Sequence, residues 1–274
     1  MSDIRRIFLK LFSIELLSIY LFNKFTNTLR YFIEVSYNGS NFHGWQFQPN
    51  AISVQETIEN SLKILMNCEI KISGAGRTDT GVHAKQMFAH FDFDDEIDIK
   101  NLIFKLNSFL DKNISVSNIF RVKDDSHARF DAISREYQYF ITQKKDVYNS
   151  DTKYFFPKNL NFDKIDKAIH ILRTTKNFQS FCRTKTDVNN YDCKIFNFDY
   201  AIKNSDIIFT IKANRFLRNM VRSIIGTILE IGLNKISITD LSSIIAKSNR
   251  IYAGPSAPAH ALFLTKIEYP ENIF

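Results

Sequence analysis

LRYFIEVSY, residues 29–37, is the first firm element of the chain. β-Branched and aromatic residues dominate it, and the polar, glycine-marked NGSNFHGWQ follows, so it reads as a strand running into a turn. Next, Ser53 and Glu56 in SVQE match a capping box, with Ser at N-cap and Glu at N3. A helix is therefore expected from Val54 to about Met66, with Val54, Ile58, Leu62 and Leu65 on one face. EIKIS (69–73) reads as a short strand leading into a glycine-rich loop. QMFAHFDF (86–93) alternates as a strand, NLIFKLNSFL (101–110) reads as a helix, and ISVSNIFRV (114–122) as another strand. This β-α-β-β-α-β order predicts a mostly antiparallel sheet with helices on one face.

The polar stretch around His127 to Ala132 breaks the pattern, and a second run begins. REYQYFIT (135–142) reads as a strand and DKIDKAIHILR (163–173) as a helix. CKIFNFDYAIKN and DIIFTIKANRF form a hairpin joined through Asn204 and Ser205. LRNMVRSIIGTILEIG (217–232) is a long helix ending at a glycine, LSSIIAKS (241–248) a short helix, and ALFLTKIEYP (261–270) a closing strand. The expected class is α+β: an N-terminal domain over 29–130 and a C-terminal domain over 131–274, similar in element order but with no visible sequence repeat. Their sheets are expected to meet at a central cleft.

The chain has 274 residues, 45% of them apolar, enough to fill a core of this size. Lys and Arg number 36 against 29 Asp and Glu, a net charge of +7, which suits a polyanionic partner. The three cysteines, Cys68, Cys182 and Cys193, form no C-x-x-C and have no histidine at finger spacing. A disulfide framework or structural zinc is not expected, and a reducing cytosol fits. In residues 1–28 the apolar run Phe8 to Phe22 is interrupted by Lys10 and Glu15 and lacks a small-residue cleavage site, so it is not read as a signal peptide or a membrane span. It reads as a dispensable extension, with an amphipathic surface helix as the alternative.

The glycine-rich loop is GAGRTDTGVHA, Gly74 to Ala84. Neither phosphate-loop pattern fits it: Val82 follows Gly81 where a lysine belongs, and Asp79 stands where a third glycine belongs. Glycines let a backbone turn sharply and let another molecule approach. Here they present Arg77 and Asp79, and Asp79 is the candidate nucleophile or base. A carboxylate attacks only when ionised, and a guanidinium beside it favours that form. The plain alternative is an Asp that caps its own turn and an Arg that solvates the loop.

Context beyond the loop decides between them. GAGRTDTGVHA resembles the signature loop of the TruA-type tRNA pseudouridine synthases. YNGSNFHGWQFQPNAISVQE (37–56), HARFDAISREYQY (127–139) and KANRFLRNMVRSIIGTILEIG (212–232) resemble three further blocks of that family, in family order. The resemblance implies two ferredoxin- or RRM-like domains. It also implies isomerisation of uridine to pseudouridine at positions 38 to 40 of the tRNA anticodon arm, without cofactor or metal, by a cytoplasmic homodimer. It places Asp79 on the catalytic aspartate, Tyr137 on the tyrosine that stacks on the flipped uracil, and Arg222 on the arginine that pairs with the aspartate. Arg77 falls where the family works on the RNA, and Leu262 where it lines the pocket. Attack at ribose C1′ and at uracil C6 both remain open.

Strand period alone does not separate Tyr137 from Tyr139. Arg222 is awkward in an apolar helix unless a carboxylate meets it. His43, His83 and His127 lack metal-ligand spacing and read as RNA or structural contacts, and Trp45 as a loop-packing anchor. One departure stands in the closing block APAHALFL, where Ala261 replaces the usual glycine; it matters only if that position needs a positive φ. Two other classes compete: a non-catalytic RNA-binding module, and a nucleoside hydrolase, which would need a second carboxylate that this loop lacks. Deleting residues 1–27 should leave tRNA isomerisation intact; a soluble truncated protein without activity would refute the reading of that segment.

Overall fold

The structure, a computed structural model, describes residues 28–184 and 188–273. The apolar run from Phe8 to Phe22 lies outside the described residues. Among those described, nine strands and five α-helices form one continuous mixed sheet with helical cover. β1 (Leu29–Tyr37) is a central strand, with β3 (His83–Phe93) antiparallel on one side and β4 (Ile114–Arg121) antiparallel on the other. Phe32, Ile33 and Val35 are fully buried. That explains why the strand is apolar nearly throughout and lacks a clean alternation.

Helix α1 (Val54–Met66) starts where the Ser53 side chain accepts the Glu56 backbone N–H at 3.2 Å. Only this half of the expected capping box forms there. Val54, Ile58 and Leu62 are fully buried and Leu65 packs beside them, as the spacing predicts. Each such side chain stabilises by about 1.5–3 kcal/mol relative to exposure. The helix's buried face also carries Glu59, which sequence pattern assigns no task. Its carboxylate accepts the Ile72 backbone N–H at 3.0 Å, while Gln55 on the preceding turn donates to the Ile72 carbonyl at 3.0 Å. Here the sequence reading of EIKIS needs correction. Side chains of α1 satisfy the backbone of Ile72, so only β2 (Ser73–Gly74) pairs with β3. Helix α2 (Ile99–Phe109) packs against α1 and completes the first core.

The second run places β5 (Ser134–Thr142) between β8 (Asp206–Ala213) and β9 (Leu262–Glu268), with β7 (Ile195–Lys203) beyond β8 and the short β6 (Tyr154–Phe155) beside β5. Helices α3 (Phe162–Thr174), α4 (Met220–Gly232) and α5 (Ile238–Lys247) supply the rest of its core. The β7–β8 turn uses Asn204 at φ 58°, a left-handed conformation that Asn tolerates. Asn219 is also left-handed, at φ 65°, so α4 begins at Met220, three residues later than the pattern suggests. Cys182 and Cys193 are buried, and burial pushes the Cys193 thiol up to about 11.

The strand order is β4-β1-β3-β9-β5-β8-β7. The two runs therefore do not form separate sheets facing a cleft. They join edge to edge through a short parallel pairing, His83 with Phe263 and Ala84 with Leu264. His83 secures the seam: its ring stacks on Phe263 at 4.4 Å, and its Nε2 lies 2.8 Å from the His260 carbonyl oxygen.

Near the seam, the segment Gly254–Ala257 lies flat on α4. A side chain at Gly226 would put its Cβ 1.7 Å from the Pro255 carbonyl oxygen. The Gly254 N–H donates to Thr227 Oγ1 at 3.0 Å, and the Ala257 N–H to the Arg222 carbonyl at 2.9 Å. Gly226→Ala should therefore destabilise the protein by about 1–3 kcal/mol, the usual cost of overpacking. A fall in the urea midpoint at constant m-value would show it; an unchanged midpoint would contradict this packing.

Candidate active site

The loop Gly74–Ala84 is held from outside by the block that follows β1. Trp45, 2% exposed, lies against Gly74, where any Cβ would come within 2.3 Å of its indole nitrogen. Its backbone N–H donates to the Thr78 carbonyl at 3.2 Å. Gly44 takes φ +91° and brings its backbone against that same carbonyl, leaving 2.5 Å for a Cβ. Tyr37 and Thr78 share a hydroxyl hydrogen bond of 2.8 Å. Gly81, at φ +76°, lets the chain turn so that the Val82 N–H reaches the Asp79 carbonyl at 3.1 Å. Trp45 is thus the packing anchor its composition suggested. His83 is a structural residue, accepting the Gly39 N–H on Nδ1 at 3.0 Å.

This scaffold aims Asp79 across the seam at the start of α4. Arg222 Nη1 lies 3.5 Å from Oδ2, and Arg222 Nε donates to the Ala257 carbonyl at 2.8 Å. Arg218 Nε lies 3.8 Å from the other oxygen, Oδ1. Sequence reasoning placed Arg222 here and missed Arg218. No helical spacing points to it, because Arg218 lies before α4, beyond the left-handed Asn219.

Tyr137 is half-buried on β5 and packs edge-on against Phe216, with ring centroids 5.1 Å apart. Burial, with a smaller push from the Asp79 charge and against the pull of Arg135, raises its phenol to about 12. Tyr139 differs: it is 1% exposed, and its hydroxyl donates to the Pro258 carbonyl at 2.9 Å. The structure thus separates the two tyrosines that strand period leaves equivalent. Arg77 stands exposed on the loop, and Leu262 is buried in the second core opposite Tyr139. Ala261 sits in a 3-10 turn and is not among the residues at positive φ, so replacing glycine there costs the backbone nothing.

Arg135 is a second residue that sequence reasoning passed over. Its guanidinium donates to four carbonyls and to no carboxylate: Ala132 at 2.8 Å, Asn214 at 3.0 Å, Ala75 at 3.1 Å, and Arg129. It ties the glycine loop to the segment between the two runs and to the end of β8. No sequence pattern reveals carbonyl acceptors. Among the described residues no group of three or more His, Cys, Asp or Glu is placed to hold a metal, and no helix is long and apolar enough to cross a membrane.

Burial also holds the phenols of Tyr37, Tyr139 and Tyr269 above the ordinary tyrosine range. The unfolded chain releases these protons from about pH 10, while the folded protein keeps them. Their contribution to stability is complete below about pH 10 and is lost as pH rises toward the folded values. Urea unfolding between pH 8 and 11 should show stability falling from about pH 10 upward. A flat profile would contradict the burial of these hydroxyls.

A family model described as tRNA pseudouridine synthase matches residues 168–270. The chain is 46% identical over 246 residues to the tRNA pseudouridine synthase A of Parabacteroides distasonis, covering 89% of this chain and 98% of that one. It is 46% identical over 247 residues to that of Bacteroides fragilis, with the same coverage. To that of Staphylococcus aureus it is 32% identical over 246 residues, covering 89% of this chain and 93% of the relative. Identity at this level over nearly the whole length of these relatives leaves one conclusion: the chain belongs to the tRNA pseudouridine synthase A family.

Proposed function

We propose that this family member isomerises uridine to pseudouridine in tRNA with Asp79 as its nucleophile. The observation that carries the reading is the Asp79–Arg222 pair, 3.5 Å apart across the seam, with one end of Arg222 fixed on the Ala257 carbonyl. A single carboxylate in the glycine loop fits covalent capture and rearrangement better than hydrolysis, which uses a pair. Asp79 attacks ribose C1′ or uracil C6. The bond from N1 to C1′ breaks, the held uracil rotates, and C5 bonds to C1′. The proton on C5 is lost, the freed N1 takes up a proton, and the carboxylate is released. Atoms and electrons balance without an oxidant, reductant or metal.

The other residues take roles around that step. Tyr137 stacks on the flipped base; its hydroxyl is neutral at physiological pH, as an ordinary tyrosine's is, and burial raises it further, to about 12. Arg77, exposed two residues from Asp79, fills the space the base leaves or grips a phosphate. Leu262 closes the apolar side of the pocket. The substrate site is the anticodon arm at positions 38, 39 and 40. The working form is a homodimer in the cytoplasm. The segments 29–130 and 131–274 act as two ferredoxin-like halves sharing one sheet, and residues 1–28 are an appendage.

The test is tritium release from tRNA transcript labelled at uracil C5, with wild type and Asp79→Asn side by side. Wild type should release tritium. Asp79→Asn should fall by at least about three orders of magnitude, the scale for loss of a catalytic nucleophile, while binding tRNA nearly as well. Comparable release by both would remove Asp79 from the chemistry. Release by neither, with tRNA bound, would favour a binding module.

A further inference from the structure

Asp79 faces two guanidiniums, and they are held very differently. Arg222 is fixed: its Nε donates to the Ala257 carbonyl at 2.8 Å, its own carbonyl accepts the Ala257 N–H at 2.9 Å, and its side chain is 21% exposed. Arg218 is 55% exposed, and its one ion pair among the described residues is the 3.8 Å approach of Nε to Oδ1, too long for a hydrogen bond. Exposed pairs of this kind contribute little to stability. Arg218 also lies outside α4. The left-handed Asn219 separates it from the helix, and its carbonyl accepts the Arg183 N–H. The backbone is therefore anchored while the guanidinium is free to turn.

The local charge is unbalanced as well. One carboxylate, Asp79, stands with Arg218, Arg222 and the exposed Arg77. Among the described residues, no other carboxylate forms an ion pair with Arg218 or Arg222. A uridine within an RNA chain brings one phosphodiester on each side of its ribose. A guanidinium matches a phosphate with two parallel hydrogen bonds, which a weak 3.8 Å pair does not rival.

We propose that Arg218 is a substrate-positioning residue that moves from Asp79 Oδ1 to a phosphate flanking the target uridine. The move leaves Oδ2 held by Arg222 and uncovers Oδ1 as the attacking oxygen. Substrate binding and exposure of the nucleophile become one event. The proposal rests on Asp79 being the nucleophile.

The experiment compares wild type, Arg218→Gln, Arg218→Lys and Asp79→Asn on one tRNA transcript. It measures kcat and KM by tritium release, and tRNA affinity by filter binding across a salt series. Arg218→Gln should raise KM about tenfold while keeping kcat within about threefold, as loss of one charged phosphate contact predicts. Its log–log salt slope should be smaller by about 0.7, the value for one phosphate on a single strand. Arg218→Lys should restore the slope, since it keeps the charge. A fall in kcat with KM and slope unchanged would mean that Arg218 serves Asp79 during chemistry, and would overturn the proposal. So would no change in any of the three. Turnover by Asp79→Asn would instead sink the nucleophile reading, while the salt slope, a binding measurement, still reports separately on the phosphate contact.

Discussion

Asp79 and Arg222 lie 143 positions apart in the chain and belong to different runs of secondary structure, yet the site needs them in contact. The constraint that brings them together is the two-residue parallel pairing of β3 with β9. It is short, and it is reinforced by side chains rather than by further ladder. His83 stacks on Phe263 and meets the His260 carbonyl. Lys85 Nζ lies 5.1 Å from the Phe140 ring centre and 5.7 Å from that of Phe263. Val82, next to this seam, is buried with the second core although it belongs to the loop of the first run. The glycine loop is thus gripped from both sides, and its carboxylate cannot drift from α4 without opening the sheet.

Rigidity on each side of the seam has a different source. On the loop side it comes from close backbone approach. Trp45 over Gly74, and Gly44 against the Thr78 carbonyl, leave no room for a side chain at either glycine. On the helix side it comes from Gly226, which lets the segment Gly254–Ala257 touch α4 and present the Ala257 carbonyl to Arg222. A carboxylate that is to act as a nucleophile needs placement within a fraction of an ångström. Here both the loop that carries it and the arginine that holds it are fixed by contacts only glycine permits.

Much of this was legible in the sequence. Strands such as LRYFIEVSY and helices such as α1 follow from local pattern, because burial of Val54, Ile58 and Leu62 is a property of spacing. Asp79, Tyr137 and Arg222 were singled out by co-ordered motifs, not by chemistry alone. What escaped depends on partners distant in the chain. EIKIS has strand composition, yet Gln55 and Glu59 replace the ladder at Ile72. Two similar runs suggested two sheets, and only the edge geometry of His83–Ala84 joins them into one. Arg135 serves four carbonyls, which leave no mark on a sequence. Arg218 lies inside the block that pointed to Arg222, but it precedes the helix, and nothing in the sequence aims its side chain at Asp79.

The central claim is that Asp79 forms the covalent link to the nucleotide. The most direct measurement uses tRNA transcribed with 5-fluorouridine. Completing the reaction requires a proton to leave C5, and fluorine cannot leave as a cation, so the rearranged nucleotide stalls with fluorine on C5: attack at C6 leaves it bonded to Asp79, whereas after attack at C1′ the new C5–C1′ bond has already displaced the carboxylate. Protease digestion and mass spectrometry of the stalled complex locate the nucleotide. Mass on the peptide that contains Asp79 marks attack at C6, a rearranged fluoronucleotide without adduct marks attack at C1′, and neither is expected with the Asp79→Asn protein. An adduct on another residue, or one that survives Asp79→Asn, would contradict it.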